Sequence, residues 1–120
     1  MKKIKINSYG TELEVVLVKE KYVNGDSTAI ELMCNEDGYW EPYSTLTVCI
    51  PGTILEDNEI LVKTWSENEQ LKELTKTDMF SDTGKRVKSG FVEAEIWKIE
   101  DSSSLITQEE FSFLVSKGEL

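Results

Sequence analysis

The chain has 120 residues, 39% of them hydrophobic, which is enough to bury a core without metal or disulfide support. Its 23 acidic side chains outnumber its 13 basic ones and give a net charge of −10. Nucleic acids and anionic membranes are bound largely through basic side chains, so this balance disfavours both and favours a basic protein as partner. The sequence predicts one domain over residues 1–120.

The negative charge is concentrated in the middle of the chain. Residues 36–82 contain eleven carboxylates and three lysines, a net charge of −8. Trp40, Tyr43, Trp65 and Phe80 lie in the same stretch. A mixture of acidic and aromatic side chains is what a folded, negatively charged binding face requires.

The two cysteines indicate whether the protein holds a metal or cofactor, and the length of the apolar runs indicates whether it crosses a membrane. Cys34 and Cys49 lie in separate apolar runs, without a CxxC pair and without any histidine in the chain. We therefore predict two buried, reduced thiols, no metal site and no cofactor. No apolar run approaches the roughly 20 residues that span a bilayer, and no signal-length segment follows the N-terminus, so we expect a cytoplasmic protein.

The first half of the chain indicates strands separated by turns. Asn24-Gly25 and residues 35–38 have strong turn chemistry, and residues 7–10 suit a hairpin turn. Pro51-Gly52 ends a strand, and Trp40 and Tyr43 are expected in the loop before it. Alternating polar and apolar residues predict strands at residues 3–6, 11–21 and 44–50. Mostly apolar runs predict a largely buried strand at residues 28–34 and a short strand or edge segment at residues 60–62.

Two helices and a central strand are predicted in the second half. Ser66 to Glu69 reads Ser-Glu-Asn-Glu, a capping box that predicts a helix of about ten residues, with Leu71 and Leu74 as its apolar contact. Residues 81–84 are expected to form a loop. Residues 91–99 predict a strand with apolar groups on both faces, and Phe91 and Trp97 are assigned to the core.

The C-terminal helix has the same start signal. Thr107 to Glu110 forms a second capping box, Ile106 and Phe111 occupy hydrophobic-staple positions, and Gly118 suits a helix stop. Phe111, Leu114 and Val115 are expected to form its buried stripe. These elements together predict an α+β domain, with a twisted, mainly antiparallel sheet of about five or six strands and two short helices against it. Strand order and oligomeric state are left open.

Catalytic signatures are scarce in this sequence. Glu93 and Glu95 are two residues apart on a predicted strand and point to one side, as general acid and base residues do, but a polar strand face has the same spacing. No nucleophile arrangement or phosphate loop accompanies them. We therefore predict a protein without enzymatic activity and without catalytic residues.

Five short blocks of sequence carry a family resemblance. They are Glu41-Pro42-Tyr43, Leu46-Thr47-Val48, the run from Asp57 to Lys63, Ser66-Glu67-Asn68-Glu69 and Ser89-Gly90-Phe91-Val92. Over roughly residues 28–99 the chain resembles an uncharacterised family of small bacterial proteins carried on plasmids, conjugative elements and phages. The resemblance implies no activity and no catalytic residues, but it implies residence on a mobile element.

Charge and resemblance together define the functional expectation. Small acidic proteins of mobile elements can block nucleic-acid-binding host machinery by imitating nucleic-acid charge in its basic groove, and inhibitors of CRISPR effectors and of restriction enzymes are among them. We expect a non-enzymatic module of this kind, whose partner is a basic, nucleic-acid-binding host defence protein. The expected interaction residues are Glu56, Asp57, Glu59, Trp65, Glu67, Glu73, Asp78 and Asp82.

An accessory scaffold or a small-ligand-binding protein is the alternative. Excess acidic charge also maintains solubility, so it does not by itself require a partner. For a ligand-binding protein, we expect an apolar pocket near Trp40, Tyr43 and Trp65.

Overall fold

Eight strands and three helical segments follow one another in the computed structural model, which describes residues 3–21 and 28–120. The strands are β1 (Lys3–Ser8), β2 (Thr11–Lys21), β3 (Thr28–Glu36), β4 (Tyr39–Thr45), β5 (Glu59–Val62), β6 (Phe80–Ser89), β7 (Val92–Ile99) and β8 (Leu105–Thr107). The helical segments are 3₁₀ helices at Ser66–Lys76 and Ser102–Ser104 and the α-helix α1 at Gln108–Ser116.

The strands form two sheets. The first has the order β1-β2-β3-β4, all antiparallel, and β8 pairs in parallel with β2 beside Leu17, Val18 and Lys19. The second has the order β5-β7-β6, also antiparallel. The prediction of a mainly antiparallel α+β fold is confirmed, but its strands are divided between two sheets rather than one.

A central core lies between the two sheets. Alternate residues of β2 and β3, such as Leu17 and Ile30, meet Ile60, Phe80 and Trp97 from the second sheet there. Residues one position away point to the opposite faces because side chains alternate along a strand. Val16 and Val18 thus pack with Phe111 of α1, on the outer face of the first sheet.

The outer face of the second sheet has its own cover. Leu61, Ala94 and Ile96 are buried there, under side chains from the chain between β4 and the first 3₁₀ helix. β7 is the middle strand and buries side chains on both faces, as its two-sided apolar pattern predicted.

The helix after β5 differs from the predicted one. Residues 66–76 form a 3₁₀ helix without a side-chain cap, so the predicted Ser66 to Glu69 capping box is wrong. Ser66 has a φ of 57°, in the left-handed region. A 3₁₀ helix has 3.0 residues per turn, and this aligns Asn68, Leu71 and Leu74, all of them buried.

Asn68 explains why the local capping rule fails. Its side-chain nitrogen, Nδ2, donates to the backbone carbonyl oxygen of Thr45 at 2.8 Å, and its side-chain oxygen, Oδ1, accepts from the Ser44 hydroxyl. The helix start is therefore fixed by tertiary hydrogen bonds to the end of β4 instead of by its own side chains.

Two other strand predictions are corrected. The strand expected at residues 44–50 lies earlier, as β4, so Trp40 and Tyr43 are strand residues; beyond it only Thr47 makes an isolated bridge, to Val62. The loop expected at residues 81–84 lies within β6, as an irregularity between Asp82 and Arg86. Asn24-Gly25 lies outside the described residues.

Three burial predictions are also wrong. Phe91 is fully exposed in the turn before β7, whereas Trp97 is buried as predicted. Cys49 is an exposed free thiol and only Cys34 is buried. On α1, Phe111 is buried but Val115 is 40% exposed.

The C-terminal helix begins and ends as predicted. The Thr107 hydroxyl accepts from the Glu110 amide at 3.1 Å, and the Glu110 carboxylate accepts from the Thr107 amide at 3.1 Å. Ile106 and Phe111 belong to one buried cluster, and Gly118 follows the helix with a φ of 69°. No helix among the described residues is both long and apolar enough to span a membrane.

Candidate functional site

A polar cleft of about 340 Å³ lies between the first 3₁₀ helix and the second sheet. We call it the helix cleft. Its lining residues are Glu69, Gln70, Lys72, Glu73, Thr75 and Lys76 of the helix, Asp82 of β6 and Glu95 of β7. Two predicted interaction residues, Glu73 and Asp82, are thus brought together, beside Glu69 and Glu95.

Glu95 is the most buried carboxylate of the helix cleft. Its side chain is 7% exposed, and its Oε2 lies 2.9 Å from Nζ of Lys72. The indole nitrogen of Trp97 donates to Oε1 at 3.0 Å, because residues two apart on β7 face the same side. A buried carboxylate is costly unless a cation and hydrogen bonds compensate it, so Lys72 and Trp97 are required by this arrangement.

Asp82 is held next to this group by the irregularity in β6. Asp82 pairs with Trp97 and Arg86 with Glu95, so three β6 residues stand opposite the single residue Ile96. The excess residues bring Arg86 back onto Asp82, where two guanidinium nitrogens donate to the two carboxylate oxygens at 2.9 Å each. These hydrogen bonds lower the pKa of Asp82.

The charges of the helix cleft alternate in sign. Arg86 lies between Asp82 and Glu95, 3.8 Å from Oε1 of Glu95, and Lys72 lies on the other side of that carboxylate. At the rim, Glu73 is 3.6 Å from Lys76, in a pair that is mostly exposed. An exposed pair of this kind contributes little to stability. The ion pairs at the base of the cleft therefore hold their side chains in place, whereas the exposed pair at the rim holds its side chains only weakly.

Glu56, Asp57 and Glu59 lie on the other side of the second sheet. Ile60 faces the central core, so Glu59 one residue earlier faces outward. The Glu59 carboxylate is 4% exposed and lies 2.6 Å from Nζ of Lys85. Hydrogen bonds from the Glu56 amide and from Lys85 lower its pKa. Glu56 and Asp57 are exposed in the loop before β5.

The remaining predicted residues are scattered. Trp65 is partly buried against the outer cluster of the second sheet, and Asp78 is exposed in the turn before β6. The side chain of Glu67 lies outside the described part of the structure. The eight predicted residues therefore do not form one surface in the described structure.

The three aromatic residues proposed to line a ligand pocket also lie apart. Trp40 packs on Phe111 beside α1, with ring centroids 6.0 Å apart. Tyr43 contacts the central core, and Trp65 contacts the outer cluster. These residues belong to three separate apolar clusters, so they share no common pocket.

A second candidate region lies at one end of the first sheet. The β1–β2 and β3–β4 turns lie at the same end of the sheet, since Glu14 near the start of β2 pairs with Asn35 near the end of β3. Tyr9 and Tyr39 are 84% and 79% exposed. Glu36, Asp37, Tyr39 and Glu41, with Tyr9 from the neighbouring hairpin, are called the acidic hairpin end.

Its carboxylates repel one another. Glu41 pairs with Cys34 across β3 and β4, which places it diagonally beside Glu36. A hydrogen bond with Glu41, and the charge of Glu41, raise the pKa of Glu36. None of the ion pairs between described residues includes Glu36, Asp37 or Glu41. The region therefore presents charge that no cation of residues 3–21 or 28–120 neutralises in an ion pair.

Sequence reasoning missed the acidic hairpin end although a signal was present. Tyr9-Gly10 and Asp37-Gly38 both have positive φ at both residues, as in the tight type I′ turn. Tyr9-Gly10 lies between two predicted strands, and Asp37-Gly38 follows the strand predicted at residues 28–34. What the sequence left open was the strand order that places the two turns at the same end of the sheet.

The fold and these two regions define a small α+β protein with two mainly antiparallel sheets and charged surface sites. The chain belongs to the family described as a domain of unknown function, DUF4313, whose model matches residues 16–113. No curated protein and no solved structure matches the chain. The family match includes the whole of residues 28–99, over which the resemblance was drawn, and residence on a mobile element stays a prediction.

Proposed function

We propose that this protein is a non-enzymatic binding module that recognises a positively charged surface on another protein. The observation that carries the proposal is the acidic hairpin end, where two exposed tyrosines lie at the same end of the sheet as three carboxylates without an ion-pair partner among the described residues. Tyrosine is enriched in protein interfaces, and complementary charge guides association.

The electrostatics of this region favour a cationic partner. The pKa of Glu36 is raised by Glu41, and burial raises the pKa of the Cys34 thiol, with the charges of Glu41 and Glu36 acting in the same direction. A lysine or arginine brought to this position would relieve the repulsion between the carboxylates. Relief of the repulsion that exists between the carboxylates in the free protein would then contribute to the binding free energy.

Counter-defence inhibition is the specific form of the proposal. A partner with a nucleic-acid-binding groove offers basic residues along an extended path, and a net charge of −10 supports attraction to such a groove. Glu56 and Asp57 supply further exposed charge at the loop before β5. CRISPR effectors and restriction enzymes have grooves of this kind, so they are the proposed targets.

The proposal is tested with purified CRISPR effectors and restriction endonucleases immobilised for binding measurements. One variant combines Glu36→Gln, Asp37→Asn and Glu41→Gln. Its control combines Glu20→Gln, Glu93→Gln and Glu119→Gln, three exposed carboxylates away from the acidic hairpin end. Both variants remove the same charge, so their difference isolates position.

We expect saturable binding to at least one target, competition by DNA and weakening by salt. The hairpin variant should bind about tenfold more weakly than wild type, while the control stays within about twofold. Equal weakening by both variants would show a nonspecific charge effect. Absence of binding to every target tested would contradict the counter-defence form.

A further inference from the structure

The outward face of α1 is an exposed surface that neither candidate region includes. We propose that it is the interface of a weak homodimer, in which α1 packs antiparallel against α1 of a second copy around Phe113. The inference goes beyond the proposed function, because dimer formation requires neither another protein nor the carboxylates of the acidic hairpin end.

The centre of this face is a large apolar side chain that is mostly in contact with water. Phe113 is 57% exposed, whereas Phe111 of the same helix is buried against the first sheet. Glu109, Phe113 and Lys117 are spaced by four residues, so they follow one side of α1, and all three are exposed. An aromatic residue flanked by charged ones is typical of the centre and rim of a protein interface.

A cavity beside Phe113 offers space for a second aromatic ring. It has a volume of about 350 Å³ and is lined by Glu109, Glu110, Phe113 and Leu114. In a two-fold dimer both copies present the same surface, so the Phe113 ring of each copy enters the cavity of the other. Each ring is then shielded from water, and burial of aromatic side chains contributes strongly to the stability of interfaces.

The order of charges along the face favours a second copy as the occupant. In an antiparallel pair with its two-fold axis at Phe113, residues equally far before and after position 113 lie opposite each other. Glu109 is four residues before Phe113 and Lys117 is four residues after it, so each Glu109 faces the other copy's Lys117. Both contacts join opposite charges, and opposite charges across an interface fix its register.

These two charges are available in the single chain. Across residues 3–21 and 28–120, no ion pair includes Glu109 or Lys117. Nζ of Lys117 lies 5.6 Å from the centre of the Phe113 ring, so the cation is already beside the proposed contact. The Glu110 carboxylate is engaged with Thr107 in the capping box, which leaves Glu109 as the carboxylate for the second copy.

The size of the face and the charge of the chain limit the affinity. α1 has nine residues and is about 14 Å long, so the contact is smaller than a standard stable interface. The net charge of −10 on each copy opposes association at low ionic strength, and salt at about 0.15 M screens this long-range repulsion. We expect a dissociation constant between about 10 µM and about 1 mM.

The first test is sedimentation equilibrium of the intact protein, from about 10 µM to about 1 mM in about 0.15 M sodium chloride. Wild type should show a monomer–dimer equilibrium. Phe113→Ala should weaken the dimer at least about tenfold, because the central ring is removed. The control is Ile54→Ala, which removes another large exposed apolar side chain, 94% exposed between β4 and β5, and should leave the dimer unchanged.

Charge exchange tests the antiparallel pairing itself. Glu109→Lys and Lys117→Glu each place like charges opposite each other in both contacts, so each variant should dimerise about tenfold more weakly than wild type. A mixture of the two variants should contain more dimer than either alone, because opposite charges then meet again. Both substitutions in one chain should restore the dimer to within about threefold of wild type.

Two controls accompany the charge variants. Asp57→Lys changes the net charge by as much as Glu109→Lys, at an exposed position in the loop before β5, and should leave the dimer unchanged. Circular dichroism checks that α1 remains folded in each variant. If Glu109→Lys unfolds the helix, Phe113→Ala and Lys117→Glu still test the interface.

Three results would overturn the inference. Wild type that stays monomeric up to about 1 mM would assign this face to a different occupant. A dimer that Phe113→Ala leaves intact would assign association to another surface. Single charge variants that form no additional dimer when mixed would exclude the antiparallel arrangement. Since the carboxylates of the acidic hairpin end are unchanged in all these proteins, failure here is separate from failure of the proposed protein-binding function.

Discussion

The helix cleft and the acidic hairpin end use the same carboxylate side chain in opposite ways. In the helix cleft, Lys72 of the first 3₁₀ helix is paired with Glu95 of the second sheet, and Asp82 is paired with Arg86 within β6. At the acidic hairpin end, Glu36 and Glu41 face each other without a cation, and the pKa of Glu36 is raised. The comparison teaches that the acidic residues of one protein fall into two groups: some form ion pairs within the fold, and others are available to a partner.

The largest expected difference concerns removal of a carboxylate from each region. Glu95→Ala leaves Lys72 without its partner and the buried Trp97 indole without its acceptor, and an unsatisfied buried donor costs about 1–3 kcal/mol in unfolding free energy. Glu41→Ala should leave stability unchanged or slightly raised, because it relieves repulsion. Urea denaturation of both variants measures the difference, and a similar loss in both would contradict the contrast.

A smaller effect is expected where the helix cleft meets the first sheet. The Tyr43 hydroxyl accepts from the Gln70 amide at 2.7 Å and lies 2.6 Å from the hydroxyl oxygen of Ser8. Tyr43→Phe should lower the unfolding free energy by about 1 kcal/mol, since both partners lose a hydrogen bond that is partly shielded from water. Ser116→Ala, which removes an exposed hydroxyl on α1, is the control. An unchanged urea midpoint in Tyr43→Phe would show that water replaces the tyrosine at no cost.

The smallest effects are opposite responses to pH. Arg86 lowers the pKa of Asp82, so this carboxylate adds stability above its ordinary pKa of 3.8, and that stability is lost as the pH falls through the lower folded value. The pKa of Glu36 is raised, so its ionisation in the folded protein reduces stability as the pH rises above its ordinary value of 4.5.

Two conservative variants separate these responses. At neutral pH, Asp82→Asn should be less stable than wild type and Glu36→Gln slightly more stable. Both differences should shrink towards zero as the solution is acidified, because the wild-type carboxyl groups become neutral. Thermal unfolding from neutral pH to below the lowered pKa of Asp82 measures both differences. Two differences of the same sign at neutral pH would contradict the contrast between the two regions.

The sequence predicted the elements whose signals are local. The Thr107 to Glu110 capping box and the two-sided apolar pattern of β7 are both confirmed, because each depends on residues that lie a few positions apart. Ser66 to Glu69 has the same letters as a capping box, yet Asn68 bonds with Ser44 and Thr45 instead. The start of this helix is therefore set by contacts between residues more than twenty positions apart, and a local sequence pattern does not reveal such contacts.

The candidate sites were less predictable for the same reason. Glu59 and Asp82 were both predicted to be available to a partner. In the structure, Lys85 pairs with Glu59 across the second sheet, and Arg86 pairs with Asp82 within β6. Glu69 was assigned to helix capping and instead lines the helix cleft. Strand order and the excess residues in β6 determine these pairings, and neither follows from residue spacing.

The pairing of β8 with β2 sets a limit on the order in which the protein folds. Leu17 pairs with Leu105 and Val18 with Ile106. The pairing of β2 is therefore complete only when residues that lie almost ninety positions later in the sequence have reached it. Contacts between such distant residues slow folding, because a long loop must close before they form. During synthesis, α1 cannot cover Val16 and Val18 until it has emerged, and apolar surface that is exposed in the meantime favours aggregation.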